Sequence, residues 1–72
     1  MAHNLADLHA ANRHVAEGER RIAHQRRRIA EQEDAGQDTH LSKQVLDSFE
    51  ITLQLLIEHR EKIARELGQV SI

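Results

Sequence analysis

The densest apolar pattern in the chain runs from Val45 to Leu67. Leu46, Phe49, Leu53, Leu56, Ile63 and Leu67 recur at alternating spacings of three and four, the period of one helical face, with Arg60 as the polar interruption. Val45 and Ile57 widen that stripe, and Leu41 and Leu55 extend it on one flank. A seam between two helices does not need a stripe this wide. One part of it is therefore expected to meet a second helix of the same chain, and the rest another chain.

The first half of the sequence carries a narrower pattern. Leu8, Val15, Ile22 and Ile29 fall at seven-residue spacing, and Ala16, Ala23 and Ala30 each follow the large residue by one. Ala11 lies on the other edge of this stripe. Small residues beside large ones let a neighbouring helix come close while the large ones fill the gaps. A further row, Asn12, Glu19, Arg26 and Glu33, is polar throughout, so the second helix must supply most of the buried apolar area.

Start and stop signals frame two helices. Asn4 is a suitable N-cap, with Asp7 placed near the positive end of the helix dipole; Met1 to His3 are expected to fray. The helical pattern then holds from about residue 5 to 34. Gly36 sits where a left-handed C-cap belongs, the turn covers about 35–38, and Asp38 or Thr39 caps the second helix. That helix is expected to run from about 39 to 67 and to end at Gly68, leaving Val70 and Ile72 as a short apolar tail. A connection this short forces antiparallel neighbours. Residues whose numbers sum to about 74 should then face each other, by counting outward from the turn at 1.5 Å per residue. Ile29 meets Val45 and Leu46, Ile22 meets Thr52 and Leu53, Val15 meets His59 and Arg60, and Leu8 meets Leu67. Arg26 comes level with Glu50 as an ion pair, and Glu19 comes within a turn of Arg60.

The fold expected is an all-α antiparallel helical hairpin, one domain over residues 1–72, dimerising into a four-helix bundle. A lone hairpin half-covers its large apolar side chains, and that burial barely offsets an ordering cost of about 1.5 kcal/mol per residue. A homodimer covers the rest; a different protein on the same surface is the other possible partner. The interface residues are Val15, Gly18, Ile22, Leu41, Val45, Phe49, Thr52, Leu53, Leu55, Leu56, His59 and Ile63. Gly18, a mid-helix glycine costing about 1 kcal/mol against alanine, is either a site of close helix approach or a tolerated weak spot.

Composition narrows the functional classes. The chain has 72 residues, no cysteine and no proline, one phenylalanine and a formal charge of -2. Neither disulfides nor a thiolate metal site can staple it. No apolar run approaches the roughly 20 residues of a membrane span, and the N-terminus lacks the layout of a secretory signal, which makes the cytoplasm the default location. The six histidines (His3, His9, His14, His24, His40 and His59) never occur four apart, the spacing that sets two ligands on one helical face. No metal or cofactor is therefore assigned. His14 and His59 fall on the same flank of the hairpin and could meet, although solvated boundary positions are the simpler account of both.

Arg13, Arg20, Arg21, Arg26, Arg27 and Arg28 invite a nucleic-acid reading, and an accessory protein using this arginine-rich face is the alternative function. Against it stand the acidic balance, the lack of interleaved aromatics and acids spaced for i,i+4 pairing: Glu17–Arg21, Arg27–Glu31, Glu58–Lys62 and Glu61–Arg65. Nucleophile elbows, phosphate loops and Glu-x-x-His motifs are all missing, so the chain is not expected to be an enzyme. A non-catalytic interaction or adaptor module is the expectation that remains.

Three segments carry a resemblance. They are Leu5-Ala6-Asp7-Leu8, the run from His14-Val15-Ala16-Glu17-Gly18-Glu19 through Arg28-Ile29-Ala30, and Gly36-Gln37-Asp38-Thr39 with Leu46-Asp47-Ser48-Phe49-Glu50-Ile51-Thr52-Leu53. Together they resemble short, uncharacterised two-helix proteins frequent in alphaproteobacteria, particularly rhizobial relatives. The resemblance spans nearly the whole chain. It implies a stand-alone bacterial protein and brings no activity or site residues with it.

Overall fold

A computed structural model describes residues 3–70, with side-chain surroundings through Gly68. Two helices, α1 (Leu5–Asp34) and α2 (His40–Val70), pack antiparallel as a hairpin. The result is a rod of 57 × 15 × 14 Å.

Each helix end is explained by its local chemistry. Asn4 accepts from the Asp7 backbone N–H at 3.0 Å, while Asp7 Oδ2 accepts from the Asn4 N–H at 3.1 Å. This reciprocal box satisfies two of the donors that a helix start leaves without an internal partner. The hydrogen bond from the Asn4 backbone holds the Asp7 carboxyl below its ordinary value, with His3 adding to the effect against a smaller opposing cost of desolvation. A lowered folded-state pKa contributes stability above the unfolded value of about 3.9, lost as pH falls through the folded value. Asp7→Ala, which removes the carboxylate that accepts from the Asn4 N–H, is accordingly expected to destabilise the protein at pH 7, and to do so less at a pH acid enough to protonate that carboxyl in the parent, where it is a poor acceptor. Paired urea titrations of both proteins at the two pH values measure this; a cost that does not shrink in acid would remove Asp7 from the box.

At the other end of α1 the chain turns through Gly36, whose φ of 70° is the only positive value among the described residues. The Gly36 N–H donates to Glu33 O at 3.0 Å and the Gln37 N–H to Gln32 O at 2.8 Å. These two bonds close the last turn in the way a left-handed C-cap requires. Asp38 Oδ1 then accepts from the His40 N–H at 2.9 Å, and Thr39 O takes the first bond of α2 from Lys43 at 2.9 Å. Asp38 and Thr39 thus share the capping of α2, one by side chain and one by backbone.

Two expectations at the ends need correction. The second helix does not stop at Gly68 but continues to Val70. Glycine ends a helix by allowing a left-handed turn, and with Gly68 not in that conformation the helix simply carries its propensity cost. His3 is not frayed: it is half-buried, 3.3 Å from Asp7 and 3.5 Å from Glu66. The expected apolar tail lies outside the described residues, since it depends on Ile72 and the Val70 side chain.

The core is one line of side chains between the helices. Ala11, Val15, Ile22 and Ile29 of α1 are buried, as is Ile63 of α2 at 1% exposure. Gln25 is buried with them, satisfied by donating from Nε2 to Ser42 O at 2.9 Å. Ser42 Oγ in turn donates to Gln32 Oε1 at 2.7 Å. This small polar network pins the register near the turn, because a buried amide without partners would cost about 1–3 kcal/mol.

Candidate interaction surface

The seven-residue row Ala11, Gly18, Gln25 and Gln32 points into the hairpin beside the expected row of Leu8, Val15, Ile22 and Ile29. Ala11 and Gln25 are buried, and Gly18 and Gln32 are half-covered. Two glutamines hide this row from a search for apolar spacing; the heptad period shared by all four was its readable signal. By contrast, Ala23 and Ala30 are exposed and Ala16 is half-covered, so the alanine row lies at the outer edge of the contact.

The register across the hairpin is marked by named pairs. Arg26 Nη2 lies 3.2 Å from Glu50 Oε2, the ion pair expected from counting, and Lys43 Nζ lies 3.5 Å from Glu33 Oε2. Both pairs are well exposed and add little stability. Arg60 does not reach Glu19; its Nη2 sits 3.3 Å from Glu61 Oε1 instead. None of the four expected i,i+4 pairs is among the ion pairs of the described residues, since exposed charges gain little by giving up water and side-chain freedom.

Of the residues assigned to interfaces, Val15, Ile22 and Ile63 are sealed between α1 and α2 and offer nothing to a partner. Phe49, Leu53 and Leu56 are only half-buried by their own chain. Leu41, Val45 and Leu55 are 74%, 42% and 61% exposed, and Ile51, which the interface assignment left out, is 65% exposed. Thr52 and His59 are exposed as well.

Gly18 belongs to the hairpin's own packing. A Cβ there would meet Leu53 Cδ1 at 3.1 Å and Leu56 Cδ1 at 3.6 Å. The close neighbour is therefore α2 of the same chain. Alanine gains about 1 kcal/mol of helix propensity, and the tight contact is with the mobile end of a half-buried leucine. Gly18→Ala is expected to raise the melting temperature by a few degrees, equivalent to about 0.5–1 kcal/mol. Thermal denaturation followed by circular dichroism checks the sign; a lower melting point would mean that Leu53 cannot yield.

His14, Glu17, Gly18 and Arg21 of α1 and Phe49, Thr52, Leu53 and Leu56 of α2 line one shallow groove of about 280 Å³. Small-molecule pockets enclose roughly 300–1,000 Å³ and bury most of the ligand; this open trough suits a side chain of another protein better. The opposite groove is bordered by Glu19, Arg26 and Glu50, charged groups that keep it wet.

His14 and His59 do not form the pair that their common flank suggested. His14 borders the groove, whereas His59 stands edge-on to His3 with ring centroids 5.9 Å apart. Antiparallel counting missed this because His3 precedes the N-cap and folds back along the helix. Around it gather Asp7 and Glu66, whose Oε2 is buried without a hydrogen bond. Among the described residues no group of three or more His, Asp or Glu side chains has the arrangement of a metal site. No helix among them is long and apolar enough to cross a membrane.

The fold and surface define a two-helix hairpin protein. Comparison with known protein families, with curated proteins and with solved structures returned no match.

Proposed function

We propose that the protein is a non-catalytic interaction module that works as a homodimer, two hairpins pooling four helices around a shared apolar centre. The supporting observation is the unsealed side of α2: Phe49, Leu53 and Leu56 half-covered, with Leu41, Val45, Ile51 and Leu55 open beside them. The accessible surface is 5522 Å². A compact monomer of 8.3 kDa exposes about 4,600 Å² by the usual size scaling. The difference is comparable to the roughly 800 Å² each partner buries in a standard interface. Contiguous apolar surface of this kind marks association sites on small proteins.

Sedimentation equilibrium across the micromolar range tests the reading. A dimer that dissociates on dilution supports it, and a folded monomer throughout overturns it. In an adaptor role, the polar outer faces of the dimer are free to carry a larger protein.

One observation favours a second reading. Arg13, Arg20, Arg21, Arg27 and Arg28 are exposed, and none of them is among the ion pairs of the described residues. A nucleic-acid accessory role would show as duplex binding that weakens steeply with added salt. Fluorescence anisotropy with a labelled duplex that stays flat at physiological salt would eliminate it.

A further inference from the structure

The exposed residues of α2 have an order that indicates what covers them. Leu41, Val45, Ser48, Thr52 and Leu55 follow spacings of four, three, four and three, and so form a second helical stripe. It lies beside the Phe49 and Leu56 row that packs toward α1. Read backwards, the stripe nearly repeats itself: leucine at both ends, the isosteric pair valine and threonine next, and serine at the centre. A two-fold interface requires this property, because each position must meet its own mirror in the other copy.

Charge confirms the boundaries of the stripe. Between residues 41 and 56 the charged residues are Lys43, Asp47 and Glu50, and all three lie away from it. Lys43 and Glu50 are turned toward α1, paired with Glu33 and Arg26. Beyond residue 57 the same side becomes charged again, with Glu58 and Lys62. Ser48 is suited to the centre, since its hydroxyl already donates to Gln44 O at 3.2 Å and carries no unmet donor into the contact.

We infer that a second copy of this chain docks α2 against α2, antiparallel, with the two-fold axis at Ser48. This rests on the homodimer reading above and names its surface. Leu41 then faces Leu55 of the other copy, and Val45 faces Thr52. The start of α2 at His40 falls level with Leu56 of the second copy, so the helices overlap along their uncharged length. Glu58, His59 and Lys62 project past the turn of the other hairpin and stay in water. The dimer is therefore staggered, joined near its turn ends, and the four helices run together only along that overlap.

Two measurements on the full chain test this. The protein has no native cysteine, so Ser48→Cys introduces one thiol on the axis. Mild oxidation is expected to bridge Ser48→Cys to its own twin, whereas Asp47→Cys, on the charged side, stays at the collisional background. Small-angle scattering should give a maximum dimension of about 80 Å for the staggered dimer at 1.5 Å per residue, against little more than the 57 Å of one rod for two rods lying side by side with their ends flush. A dimer that sediments as such, fails to bridge through Ser48→Cys and measures near 57 Å overturns the α2 seam while leaving self-association intact. A monomer at every concentration overturns both.

Discussion

Ile63→Ala is expected to abolish the cooperative unfolding of the hairpin at 37 °C. Ile63 is the most buried side chain of the described residues, at 1% exposure. Truncating a buried isoleucine to alanine costs about 2–5 kcal/mol, the lost transfer energy plus the cavity left behind. A chain of this length holds roughly 4–11 kcal/mol in total, so one such change removes a large share. The hairpin has little means of collapsing onto the gap, because a single partner helix lines the site and its buried side chains are already packed. Urea denaturation followed at 222 nm measures the loss. A midpoint within about 0.5 kcal/mol of the parent, the usual range for surface changes, would show that Ile63 is not enclosed as described.

Leu41→Ala and Leu55→Ala are expected to weaken self-association, each by one to three orders of magnitude, while leaving the isolated hairpin folded. Both side chains are more than half exposed in the single chain. Burying the open part of a leucine is worth about 1–2 kcal/mol, and two-fold symmetry counts every substitution twice. The informative quantity is the coupling. The two residues lie 14 positions apart on one helix, about 21 Å, a separation at which independent effects add within about 0.5 kcal/mol. If each leucine packs on the other across the axis, the double variant loses clearly less than the sum of the singles. Dissociation constants for the four proteins, from dilution by sedimentation or calorimetry, close the cycle. Strict additivity would separate the leucines and dissolve the antiparallel seam.

Much of the hairpin was legible from local chemistry. Asn4 with Asp7 and Gly36 with Asp38 mark three helix ends, because capping depends on side chains within a few residues of the backbone they satisfy. The Arg26–Glu50 pair followed from counting across a tight turn. Gly68 misled, since a glycine permits the left-handed turn that ends a helix without requiring it. The Gln25–Ser42–Gln32 network was invisible to hydropathy, which scores an amide as solvent-facing whether or not a partner waits across the helix.

The surface was read less completely. Val15, Ile22 and Ile63 carry the same apolar label as Val45 and Leu55, yet the first three are sealed and the others open. Residue type cannot separate them, because a stripe wider than one seam has two edges and only the packed geometry says which edge α1 occupies. The placement of His59 against His3 rather than His14 is a similar case; side chains beyond a helix cap are positioned by contact, not by periodicity.

The amino-acid sequence by itself determined two long helices, their antiparallel order and an excess of apolar side chains over what one pair can cover, since periodicity, caps and turn length act over a few neighbouring residues. Only the tertiary structure decided how that excess divides. Once α1 settles its Ala11–Gly18–Gln25 row against α2, one side of the stripe is enclosed and the other, from Leu41 to Leu55, faces water, because a cylinder can touch its single neighbour along one line alone.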